Sequence, residues 1–119
     1  MRADPLKAGG AEIPEITASD LQARLEARET LVLLDVREAF EREIADLPDH
    51  GQKHIPVAEV GERLDELDPA QLMVVYCRSG ARSGAVLRFL QAKGFSRVLN
   101  LRGGILGWRD EVDPSIRKY

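Results

Sequence analysis

A single cysteine, Cys77, occurs in the whole chain of 119 residues. No disulfide can form within it, so stability must come from burial, and any thiol chemistry at Cys77 proceeds without a resolving cysteine in the same chain. Long apolar runs are also missing. The longest, "LVLL" and "LMVVYC", are far too short to cross a bilayer, and "MRADPLKAGG" has no apolar core of the signal-peptide kind, so a cytoplasmic location is expected. An excess of basic residues is absent as well: 17 Lys and Arg against 20 Asp and Glu leave a net charge of -3, which argues against nucleic acid as a partner. No glycine-rich nucleotide loop and no paired Cys-x-x-Cys zinc ligands exist, so the chain alone cannot activate a carboxylate with ATP. Internal repeats and low-complexity segments are lacking too. His50 and His54 stand four apart, a spacing that on a helix could supply two metal ligands. Pro48, Asp49 and Gly51 argue for a loop there and no third ligand is evident, so neither a metal nor a cofactor is expected.

What is present suits one domain, since 119 residues with 44% apolar content can build a single core. Residues 1–14 hold Pro5, Gly9, Gly10 and Pro14 without periodicity and read as an arm or linker, with the domain over 15–119. Thr17 and Asp20 have capping-box spacing ahead of Leu21 and Leu25, which predicts a first helix. "LVLLDV" and "LMVVYC" read as strands buried on both faces, the signature of a parallel sheet covered by helices. Two short helices are expected between them, "EAFEREI" with Phe40 and Ile44 on one face and "EVGERLDEL" with Val60, Leu64 and Leu67 on one face. "SGAVLRFLQAKG" predicts a helix with Val86, Phe89 and Leu90 at helical spacing, ended by Gly94. "SRVLNL" supplies a further strand and "GGILGWRDEV" a last helix. The fold class is therefore α/β, with a mostly parallel sheet of four or five strands between helices.

Cys77 falls at a strand-loop-helix junction, the place in open α/β folds where unpartnered backbone N–H groups converge. A thiolate there is stabilised as any anion would be, with Arg78 and Arg82 adding positive charge, so a lowered pKa is expected. Gly80 permits the positive φ that a tight loop with inward amides needs. Ser79, Ala81 and Ser83 are small enough to leave the thiol accessible. The competing reading is a buried strand-end cysteine among ordinary surface arginines.

"LLDVREAFE", then "HIPVAEV", then "VVYCRSGARSGAVLRFLQAKGFSRVLNLRGGILGW" resemble a rhodanese homology domain in order, spacing and content, from Ile16 to Trp108. The middle motif departs from the pattern, with "KHIPVA" where many such domains have "GHIPGA". The resemblance implies a three-layer rhodanese-like fold and a sulfurtransferase of the thiosulfate:cyanide type, in which Cys77 takes a sulfane sulfur, holds it as a persulfide and passes it on. Arg78, Ser79, Gly80, Ala81, Arg82 and Ser83 would form the substrate-binding loop, and Asp35 and Arg37 would support it, Asp35 by orienting the loop or Arg82. Read without the resemblance, Asp35 and Arg37 are equally consistent with exposed strand-end charges. Trp108 reads as core, and spacing alone does not place Arg102, Gly103 and Gly104 at the mouth.

The tail "NLRGGILGWRDEVDPSIRKY" further resembles that of the adenylyltransferase/sulfurtransferases of molybdopterin and thiamine biosynthesis. That likeness implies as partners a ubiquitin-like sulfur carrier protein and an adenylyltransferase domain; the donor is left open between thiosulfate, whose sulfonate end Arg78 and Arg82 could hold, and a cysteine-desulfurase persulfide, which would serve the same loop. Two other functions fit a Cys-loop on such a fold. One is a cysteine-based phosphatase or arsenate reductase, for which Cys-x4-Arg is one residue short of the usual Cys-x5-Arg. The other is a non-catalytic interaction module, which commonly lacks the cysteine.

Overall fold

Three apolar runs become the centre of a parallel sheet in the computed structural model, which describes residues 13–119. They are β2 (Val32–Asp35), β4 (Met73–Tyr76) and β5 (Val98–Leu101), and two two-residue strands, β1 (Glu15–Ile16) and β3 (Lys53–His54), complete the edges. The order is β1-β5-β4-β2-β3, every pair parallel, with Leu34 opposite Val75 and Val75 opposite Asn100. This is the α/β sheet expected, with five strands among the described residues.

Side chains alternate across the strands and feed two cores. Leu33, Val74 and Tyr76 pack with helix α1 (Ala18–Glu26) and helix α4 (Gly104–Glu111) through Leu21, Ile105 and Trp108. Leu34, Met73 and Val75 pack on the opposite face with helix α3 (Ala81–Ala92) through Val86, Leu87 and Leu90. A sheet between two helical layers results, and Trp108 is core. Among the described residues no helix is long and apolar enough to cross a membrane.

Local chemistry explains the helix boundaries. Thr17 caps α1 by accepting from the Asp20 N–H at 3.1 Å. Helix α2 (Ala39–Ile44) forms where expected but is rotated: Phe40 is 63% exposed, and Glu41 is buried in its place. The reason is electrostatic, because Glu41 finds an arginine partner and caps its own helix, its carboxylate accepting from the Glu38 N–H. The helix expected at "EVGERLDEL" is two 3-10 turns, Val57–Glu59 and Gly61–Glu66, with non-helical geometry at Arg63. Leu64 and Leu67 stand three apart, one turn of a 3-10 helix, and the break at Arg63 lets them reach the same core as Val60; a glycine within the segment weakens the alternative α-helix. Of the expected arm, residues 1–12 lie outside the described residues. Pro14 already belongs to the fold, its carbonyl accepting from the Asn100 N–H at 2.8 Å.

Candidate active site

Because every strand runs the same way, every strand C-terminus lies on one edge of the sheet. That edge gathers Asp35, His54, Cys77 and the turn after Leu101. Cys77 follows the central strand β4, and Gly80 is the N-cap of α3 with φ 106°, the left-handed conformation expected of it. The helix N-terminus therefore opens directly onto the sulfur.

Three donors converge on Cys77 Sγ: the Gly80 N–H at 3.1 Å, the Ser83 N–H at 3.4 Å and the Ser83 hydroxyl at 3.3 Å. Burial alone would push the thiol up. Hydrogen bonds from the Ser83 hydroxyl and from the Ser83, Gly80 and Ser79 N–H groups outweigh it and hold Cys77 below the ordinary thiol value. The loop is turned amide-inward by α4, whose Ile105 and Leu106 N–H groups bond the Cys77 and Arg78 carbonyls at 3.0 and 3.1 Å. Gly104 makes that approach possible, since a Cβ there would lie 2.3 Å from the Cys77 carbonyl oxygen. Gly104 thus serves the loop from behind, and Arg102 points away, 67% exposed beside Glu15.

Asn100, on β5, is a participant that sequence reading missed. Its Oδ1 accepts from the Ser83 hydroxyl at 2.6 Å and its Nδ2 donates to the Gly80 carbonyl at 3.1 Å. A hydroxyl has one proton, and with Oδ1 and Sγ both in reach it can turn to the sulfur as the thiol ionises. An asparagine inside an apolar strand, "VLNL", was the available signal, because a buried amide needs partners.

The arginines depart from expectation. Arg82 gives both terminal nitrogens to Glu41, at 2.7 and 2.9 Å, so its charge is largely neutralised. Arg78 stacks on Tyr119, 5.4 Å from the ring centroid, and its Nε donates to the main-chain oxygen of Tyr119. Asp35 does not reach Arg82. It takes Nε and Nη2 of Arg37 at 2.9 Å each, and both side chains are fully buried, so neither is an exposed strand-end charge. Burial works against the Arg37 charge, and the bonds to Asp35 and Tyr119 more than restore it, raising its pKa. Tyr119 links Arg37 to Glu41, and through it to Arg82: its hydroxyl accepts from Arg37 and donates to Glu41, each at 3.0 Å. Ser79 and Ala81 are exposed, while Cys77 is 1% exposed, deeper than its small neighbours suggest.

His54 bonds the Arg37 carbonyl at 2.7 Å through Nε2, and His50 lies exposed in the preceding turn. Among the described residues no group of three His, Cys, Asp or Glu side chains is placed to share a metal ion.

Residues 17–111 match the family of the Rhodanese-like domain. The chain belongs to the rhodanese-like family. It is 38% identical to a protein named "Sulfurtransferase" from Allochromatium vinosum over 81% of this chain and 88% of that one. It is 31% identical to the adenylyltransferase and sulfurtransferase MOCS3-2 of Zea mays, over 91% of this chain but only 23% of that protein. The crystal structure of a rhodanese-related protein from Thermoplasma volcanium superposes with a TM-score of 0.74 at 30% identity, covering 89% of this chain and 99% of that one. Free-standing and multidomain rhodanese relatives therefore both stand near this chain, and the tail does not separate them.

Proposed function

We propose that the chain is a sulfurtransferase in which Cys77 carries a sulfane sulfur as a persulfide. The observation that carries this reading is the convergence of two backbone N–H groups and the Ser83 hydroxyl on Cys77 Sγ at the N-terminus of α3. Those donors favour the thiolate before the reaction and the anionic outer sulfur after it. With thiosulfate, the Cys77 thiolate attacks the outer sulfur, the S–S bond of the donor breaks, and sulfite leaves with the electron pair. A nucleophile such as cyanide then attacks the outer sulfur of the persulfide, leaves as thiocyanate and returns Cys77 to thiolate. No electrons are gained or lost over the cycle, so it requires no redox cofactor.

The reading extends to the acceptor: a ubiquitin-like sulfur carrier protein whose C-terminal glycine has been activated by an adenylyltransferase, as in molybdopterin or thiamine biosynthesis. The tail motif and the likeness to the maize protein support it. Oxyanion chemistry is less well served, because Arg82 faces Glu41 where a phosphatase would need it on the bound oxyanion. Intact-mass measurement tests the central claim. Thiosulfate should add one sulfur atom, cyanide should remove it, and Cys77→Ser should take up none; a serine variant that still turned over thiosulfate would overturn it.

A further inference from the structure

We propose that Tyr119 is a positioning residue that presents Arg78 to the anionic end of the sulfur donor. The proposal rests on the sulfurtransferase reading for the identity of the ligand, but its geometry stands independently. Of the two arginines in the loop, Arg82 has both terminal nitrogens committed to Glu41. Arg78 is engaged differently. Its Nε bonds the main-chain oxygen of Tyr119 and its guanidinium lies over the Tyr119 ring, while its two terminal nitrogens have no hydrogen-bond partner among the described residues. An arginine held by its Nε and one face keeps its outer fork available, which is the edge that recognises a sulfonate or carboxylate.

Tyr119 is itself firmly placed. Its ring packs against the core shared by α1 and α4, and its hydroxyl is held between Arg37 and Glu41. The segment leading to it folds back on α4, where the Ile116 carbonyl accepts from Arg109 Nε at 3.0 Å and the Ile116 N–H bonds the Asp113 carbonyl at 3.1 Å. A free arginine side chain must surrender rotamer freedom to bind an anion. One already stacked on a fixed ring surrenders less, so Tyr119 lowers the cost of donor binding. One aromatic residue thereby sorts the two arginines into separate duties: through its hydroxyl it braces the Glu41–Arg82 clamp, and through its ring it aims Arg78.

The test compares alkylation of Cys77 by iodoacetate, an anion, and by iodoacetamide, its neutral counterpart, in the same protein. The ratio of the two rates reads the cationic mouth without any sulfur chemistry, and a general loosening of the fold would alter both rates together. Arg78→Ala and Tyr119→Ala should each lower the ratio roughly threefold to fivefold, the scale of one partly exposed charge interaction. The double variant should fall no further than Arg78→Ala alone, since both changes remove the same interaction. Tyr119→Phe, which retains the ring, should restore most of the ratio. An unchanged or raised ratio in Tyr119→Ala, an additive loss in the double variant, or a loss in Tyr119→Phe as large as in Tyr119→Ala would each overturn the proposal. With thiosulfate, Tyr119→Ala should raise KM more than it lowers kcat. If the native protein forms no persulfide at all, the sulfurtransferase reading fails, and the alkylation ratio still decides the role of Tyr119.

Discussion

Arg82 and Glu41 form a two-point ion pair, Nη1 to Oε2 at 2.7 Å and Nη2 to Oε1 at 2.9 Å, that ties the first turn of α3 to α2. The bond from Arg82 is the largest influence on the Glu41 carboxyl; burial opposes it, the Glu38 N–H and the Tyr119 hydroxyl add to it, and the group sits at about 2 against an ordinary 4.5. A carboxyl with its pKa lowered by folding contributes stability that is complete above the unfolded value and is lost as pH falls through the folded one. Native protein should therefore lose on the order of 2 kcal/mol between about pH 4.5 and 2 from this group, solvent screening at half-exposed Arg82 included. Glu41→Gln should be less stable at neutral pH and show a flatter acid limb. Thermal unfolding at stepped pH reads both, and a Gln variant with the native acid limb would show that another carboxylate governs it.

The same pair changes what is expected of the thiol. Since Arg82 spends its charge on Glu41 and Ser83 points at the sulfur, Ser83→Ala should raise the Cys77 pKa more than Arg82→Ala does. Alkylation by a neutral reagent across pH gives both midpoints. Should Arg82→Ala prove the larger, long-range charge outweighs the hydroxyl.

These residues mark where sequence reading stops. The central strands were legible because "LVLLDV" and "LMVVYC" are too apolar to face water on either side, and Cys77 was legible because a glycine and small residues follow a strand and precede a helix. The edge strands Glu15–Ile16 and Lys53–His54 are two residues long and carry no period to detect. Glu41 was hidden for another reason: charge on a short helix ordinarily faces water, and only the approach of Arg82, 41 residues later, makes its burial favourable. Tyr119 lies further still from Arg37 and Glu41, and no local pattern links them. Pairings of this kind depend on the fold that brings them together.

Gly104 offers a sharp structural test. It has φ 58°, and a Cβ would lie 2.3 Å from the Cys77 carbonyl oxygen and 2.6 Å from that of Arg78. Both contacts are with backbone, so Gly104→Ala must push the loop away from α4 at a cost of about 2 kcal/mol or more. Because the same displacement turns the inward amides, persulfide formation should fall further than stability does. Denaturant melts alongside sulfur uptake separate the two effects, and normal uptake would show that the loop holds its shape without α4.

Asp35 and Arg37 form a fully buried ion pair. Asp35→Ala leaves the guanidinium without its main counter-charge and should cost about 3–5 kcal/mol, whereas replacing both by apolar residues should cost less. Chemical denaturation of the single and double variants checks this. Equal losses would show that the hydrogen bonds of Arg37 to the Ala45 carbonyl and Tyr119 matter as much as the pair itself.

Burial of the thiol bears on the choice of acceptor. Cys77 is 1% exposed, and a persulfide advances the reactive sulfur only about 2 Å beyond Sγ. A folded acceptor surface cannot follow it into the loop, but cyanide or an extended Gly-Gly tail can. Attack of the persulfide on an acyl-adenylate at such a tail would release AMP and leave an acyl disulfide. Its cleavage to thiocarboxylate needs two electrons from an external thiol reductant, because the chain has no second cysteine. Persulfidated protein mixed with an adenylylated carrier should therefore yield thiocarboxylate with reductant present and accumulate the covalent adduct without it, both visible by mass. Transfer to cyanide with none to any such carrier would mark the chain as a general thiosulfate sulfurtransferase, its tail a sign of ancestry alone.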